Sequence, residues 1–231
     1  MSELRSVYGA LLLVLCAPLA AHADAAATVR EQCASCHAID KPDYAALGFA
    51  ERGERKGPPL YYAGNKFNAE WLEAWLQKPV RIRPAGVVPS AHVRATPEGD
   101  VVDPSTLSEH PALSAGDAAA VTQWLMQLRP FDERIAAQNY EPGQIAMRMG
   151  QMNFSKFKGC DACHRDSPER GGESGPELHT AWNRLQPAFI ASYIADPLFW
   201  DPHTMMPRSG LVDAEVHKLA DYLKALQETQ P

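Results

Sequence analysis

Two five-residue strings carry the strongest chemistry in this chain: Cys33-Ala34-Ser35-Cys36-His37 and Cys160-Asp161-Ala162-Cys163-His164. The pattern C-x-x-C-H is the attachment site of c-type haem. Two thiols add to the two vinyl groups along one porphyrin edge. Two intervening residues let both sulfurs reach that edge, and the histidine that follows falls under the iron as its proximal ligand. A redox dithiol would want a βαβ setting, and the sequence offers no β-branched runs alternating with helices. Zinc knuckles would pair their cysteines, whereas these pairs lie 127 positions apart and each has its own histidine. The strings predict two covalently bound haem c groups, with Cys33, Cys36, Cys160 and Cys163 as attachment points and His37 and His164 on the irons.

The fifth cysteine, Cys16, sits in an N-terminal segment with a charged start ending at Arg5, an apolar stretch from Tyr8 to Ala21, and the small-x-small triplet Ala21-His22-Ala23 before Asp24. That is the pattern of a cleaved secretory signal, and Leu15 is too large for a lipidation site at Cys16. A periplasmic location is expected. No later stretch is long and apolar enough to span a bilayer, so the mature chain is expected to be soluble, free or docked to a membrane complex. The formal net charge of −6 speaks against nucleic acid as a partner.

The elements that must position the strings repeat. Gly57-Pro58-Pro59-Leu60 matches Gly175-Pro176-Glu177-Leu178 at an offset of 118, and the offset holds onward without a gap. Trp71-Leu72 matches Phe189-Ile190, Trp75-Leu76 matches Tyr193-Ile194, and prolines 79, 84 and 89 match 197, 202 and 207. Each half closes on an amphipathic helix, with Ala118, Val121, Leu125 and Leu128 at helical spacing in the first and Val216, Leu219, Leu223 and Leu226 in the second. Ser114 and Asp213 are the expected N-caps. The second half opens on a helix over about Gln144 to Phe157, whose methionines are read as packing. Arg129 to Gly143 reads as the linker. Three segments follow: a signal peptide over 1–23, a first domain over 24–130 and a second over 131–231.

Each half resembles a class I c-type cytochrome domain, a small helical fold with an N-terminal haem string, a Gly-Pro on the proximal side and a Met-Pro on the distal side. The resemblance covers nearly the whole mature chain and implies an all-α protein of two tandem class I cytochrome c-like domains. In the second half Cys160, Cys163, His164, Gly175-Pro176 and Met206-Pro207 fall in order, which implies Met206 as the distal ligand, with Met205 as the neighbouring alternative. The resemblance also implies that the carbonyl of Pro176, and that of Pro58, accepts the Nδ1–H of the proximal histidine.

The first half departs from that pattern twice. His37 to Pro58 is 21 positions, against 12 from His164 to Pro176. Val87-Val88 stand where Met205-Met206 stand, and a 20-residue insertion between Pro89 and Leu113 carries His92 and His110. His92 follows four positions after Val88 and is the first candidate for the distal ligand; His110 is the second, and an iron with no second protein ligand is the third. The expected function is electron transfer between a dehydrogenase, an oxidase or another respiratory complex and a downstream acceptor. A dihaem enzyme working on small molecules at the first haem is the alternative. A redox or ligand sensor is a third reading, without a signalling module to support it.

Overall fold

The computed structural model describes residues 24–229; the expected export segment lies outside the described residues. The first half runs from a helical stretch over 24–33, whose last turn Val29–Cys33 is a π-turn, through helices Ala69–Gln77 and Ala115–Leu125. The second runs from Met147–Met152 and the π-turn Asn153–Phe157 through Pro187–Ala195 to Asp213–Glu228. The closing helices bury most of the predicted stripes: Ala118, Val121 and Leu125 in one, Val216, Leu219, Leu223 and Leu226 in the other, while Leu128 lies past the end of its helix and is half-buried. Each fully buried Val or Leu contributes roughly 1.5–3 kcal/mol by leaving water. Ser114 caps its helix by accepting from the Asp117 N–H at 3.2 Å. The last helix starts one residue earlier than expected: Val212 rather than Asp213 is the N-cap, and its N–H donates to Glu215 at 3.3 Å.

The chain is not all-α, so the expectation of an all-helical pair of domains is corrected. Two antiparallel hairpins interrupt the helices: Val93–Thr96 with Gly99–Val102, and Arg165–Ser167 with Arg170–Gly171. Both turn on a Pro-Glu pair, Pro97-Glu98 and Pro168-Glu169. Proline fixes φ and supplies no N–H, which suits a turn and stops a helix. The glycine after each turn takes a positive φ: +126° at Gly99 and +110° at Gly171. The first hairpin is the folded form of the inserted segment. The second is tied to the last helix through buried Asp166, which accepts from Tyr222 Oη at 2.7 Å and from Arg170 Nε at 2.8 Å.

Each half has its own apolar core, one around Val29, Leu72, Val121 and Leu125, the other around Phe154, Ile190, Val216 and Leu223. A third cluster joins them, built from Tyr61, Tyr62, Phe189 and Trp200 with Phe131 packed against it. The linker is therefore anchored rather than loose. It forms a short helix, Asp132–Ala136, and Asn65 donates to Asp132 at 2.7 Å.

The repeat offset reappears as symmetry in this junction. Asn68 N–H donates to Arg184 O at 3.0 Å, and Gln186 N–H donates to Lys66 O at 2.9 Å. Positions 66 and 68 become 184 and 186 under the offset of 118, so the two bonds are one bond seen from either side of a local twofold axis. Phe67 and Leu185, also equivalent, pair as an isolated antiparallel bridge. The side chains follow the same rule. Asn68 Nδ2 caps the carbonyls of Trp182, Asn183 and Leu185, and Gln186 Nε2 caps those of Gly64 and Phe67 at 2.7 and 2.8 Å. A self-complementary patch of this kind is the geometry of an isologous dimer written into one chain. Asn68→Ala or Gln186→Ala leaves several carbonyls short of a donor and is expected to lower stability by about 1–3 kcal/mol. Denaturant unfolding of each variant checks this; unchanged midpoints would show that the caps contribute nothing.

Candidate functional site

The two cysteine strings have the same local geometry. In the first, the His37 N–H donates to Cys33 O at 2.9 Å and the Cys36 N–H to the same oxygen at 3.1 Å. In the second, His164 and Cys163 donate to Cys160 O at 3.0 and 3.2 Å. This single turn places residues i and i+3 on one side, so each pair of thiols shares a face. All four thiols are free. Cys33 and Cys160 are half-buried, while Cys36 and Cys163 are exposed.

Both histidines are oriented in the same way. His37 Nδ1 lies 2.7 Å from Pro58 O, and His164 Nδ1 lies 2.7 Å from Pro176 O. A carbonyl only accepts, so Nδ1 carries the proton and Nε2 keeps its lone pair free. This is the outer bond that fixes tautomer and ring direction in metal-ligating histidines. Burial holds both rings below the ordinary imidazole pKa, with the carbonyl bond acting in the opposite sense. They are therefore neutral near pH 7, the form that binds a metal.

The glycines before these prolines lie flat against the rings. A Cβ at Gly57 would stand 2.4 Å from the His37 ring, and one at Gly175 would stand 2.5 Å from the His164 ring. The nine extra residues of the first half loop out without disturbing this arrangement. Leu60 N–H reaches Ala38 O at 2.9 Å, as its counterpart Leu178 N–H reaches Arg165 O at 2.7 Å. Gly175→Val should push the His164 ring off its carbonyl. The overpacking should destabilise the second half by about 1–3 kcal/mol, read as a lower midpoint in denaturant unfolding. An unchanged midpoint would show that the close approach is dispensable.

In the second half Met206 is half-buried and its N–H donates to Thr204 Oγ1 at 3.2 Å, while Met205 is 65% exposed. Thr204 also receives Tyr193 Oη at 3.2 Å. In the first half, Val88 occupies the equivalent position. His92 is held by its own segment. Its Nδ1 is 3.0 Å from Thr106 Oγ1 and its ring packs against Gly86, which has a φ of +73°. His110 is the imidazole beside His37, with ring centroids 6.2 Å apart.

A group of cations that no spacing singles out gathers at the junction. Lys66 and Arg83 sit deep in protein while keeping some contact with solvent, and Arg184 is buried. Burial, and then Arg83, pushes Lys66 down to about 7, with Asp201 acting the other way. Burial likewise lowers Arg184 to about 10, opposed by Glu177. Arg55 reaches across to Asp201 at 2.7 Å. The only sequence hint is the proline-rich loop, where Arg83 matches Asp201 with its sign reversed.

The arrangement bears on the rival chemistries. A reactive C-x-x-C lowers a thiol pKa, whereas burial raises Cys33, and burial and then Asp161 push Cys160 up to about 11. A structural zinc site needs four converging donors, and among the described residues no group of three His, Cys, Asp or Glu side chains converges. No described helix is long and apolar enough to cross a membrane. The chain matches no family model, no curated protein and no solved structure.

Proposed function

We propose that this chain is a periplasmic dihaem c-type cytochrome that passes electrons between a dehydrogenase or respiratory complex and a downstream acceptor. The observation that supports it best is the pair of C-x-x-C-H turns, each with a neutral histidine whose Nδ1 is bound to a proline carbonyl at 2.7 Å. The cradle fits the group: free thiols share a face, a glycine keeps the ring in place, and the Nε2 lone pair is free. The cations at the junction fit it as well. Lys66, Arg83 and Arg184 outnumber the carboxylates beside them, and a porphyrin brings carboxylate arms that would offset that charge.

When bound, haem supplies a one-electron iron couple closed to substrate by two protein ligands. Cys33, Cys36, Cys160 and Cys163 would anchor it. His37 and His164 would ligate the irons through Nε2, each held in direction by Pro58 or Pro176. Met206 would complete the second site, and its thioether would favour the reduced state. The joining cluster of Tyr61, Tyr62, Phe189 and Trp200 fixes the two halves against each other, so the distance between the two sites is set by packing rather than by a flexible linker. Stopped-flow mixing with carbon monoxide and with cyanide tests the reading. Slow or absent binding at both haems, with rapid reoxidation by a small redox protein, is the expected result. Rapid ligand binding at one haem would instead favour an enzyme.

A further inference from the structure

We infer that His110 is the second protein ligand of the iron held at His37, filling the place left by the absence of a methionine at Val88. The inference rests on the reading of the chain as a dihaem cytochrome and assigns one position within it. A metal–imidazole bond is about 2 Å long, so two rings on opposite sides of one metal have centroids about 6 Å apart. The His37 and His110 centroids are 6.2 Å apart, with ring planes inclined at 57°.

The ring of His110 is prepared in the same way as a proximal one. Its Nδ1 lies 2.8 Å from Pro111 O, which places the proton on Nδ1 and leaves the Nε2 lone pair free. The backbone holds it in position from both sides. Arg81 Nη2 donates to Ser108 O at 3.3 Å, and the Leu113 N–H donates to Leu76 O at 2.8 Å, at the end of the Ala69–Gln77 helix. Trp75, from that helix, packs on the ring with centroids 4.6 Å apart. Packing on Trp75 alone would explain a histidine here; it would not require the carbonyl on Nδ1 or the spacing to His37.

His92 is occupied elsewhere. Its carbonyl accepts from the Asp103 N–H at 2.7 Å, its N–H donates to Pro89 O at 2.9 Å, and its Nδ1 faces Thr106. These bonds tie it into the base of the inserted hairpin. The insertion is thus read as a device that delivers His110 over His37, with His92 as part of its frame. A second imidazole closes the first site to exogenous ligands and sets it at a lower potential than a His/Met site.

The test uses the exported holoprotein, its His110→Ala, His110→Gln and His92→Ala variants, and low-temperature electron paramagnetic resonance with intact mass. The wild type should show one bis-imidazole and one His/Met low-spin haem. Both His110 variants should keep two haems by mass yet lose the bis-imidazole signal, and added imidazole should restore it. Glutamine retains a polar side chain on Trp75, which separates ligation from packing. His92→Ala should leave the spectrum unchanged. A bis-imidazole signal that survives in His110→Gln, or that disappears in His92→Ala, overturns the assignment. A wild type without covalent haem would instead refute the functional reading itself.

Discussion

Met206→Ala is expected to abolish the weak long-wavelength sulfur-to-iron band of the oxidised protein and to lower the potential of the second haem by a sizeable share of the ~0.8 V over which axial ligands set haem potentials. The thioether is the soft ligand that favours reduced iron, and alanine supplies no replacement. The loop itself should hold, because the Thr204 hydroxyl accepts the backbone N–H of residue 206 rather than its side chain. Met205→Ala should change neither quantity, since that side chain is turned to solvent at 65% exposure. Optical spectra with redox titration of both variants decide between them. A band that survives Met206→Ala and disappears in Met205→Ala would assign the ligand to the wrong neighbour.

Changing Cys160 and Cys163 together to alanine is expected to leave a chain with one haem. On the proposed reading the strings would be separate attachment sites, since each has its own histidine, carbonyl and glycine. Removing the second pair leaves Cys33, Cys36, His37 and Pro58 untouched, and among the described residues Leu185 is the one member of the other half in the core cluster around Val29 and Val121. The second half should lose much of its stability, because Cys160 packs against the cluster around Phe154, Val216 and Leu223. Intact mass should fall by one haem and the remaining absorption should be that of the first site. Two retained haems, or none, would show that the halves do not load independently.

Much of the site was legible in the sequence because it depends on short, local spacing. A C-x-x-C-H turn is closed by its own backbone bonds, so both strings adopt it. The Gly-Pro pairs were legible from the repeat, and the role of their carbonyls only from the resemblance to class I c-type cytochromes; Pro58 reaches His37 across a longer segment because the extra residues loop out beyond the Leu60–Ala38 bond. The helical stripes were legible from their period. The hairpins were not: Val93–Thr96 and Arg165–Ser167 are too short to show alternation, and each depends on a Pro-Glu turn that also reads as an ordinary loop. Nor was the placement of the two inserted histidines. Nearness to Val88 in sequence pointed to His92, but the hairpin turns that residue back onto Thr106 and Gly86 and brings His110 to His37 from 18 positions further along. The repeat was visible as an alignment, whereas its use as a twofold junction through Asn68 and Gln186 depends on tertiary packing, since nothing local says which surface of one half meets the other.

The central claim is that two porphyrins are bonded covalently to this chain, and intact-mass spectrometry of the full chain expressed in a host that exports and matures c-type cytochromes tests it most directly. The account predicts a mature chain beginning near Asp24, heavier than its polypeptide by two haems, with no thiol open to alkylation. A mass equal to the bare polypeptide, or to one haem with two cysteines that alkylate, would contradict it.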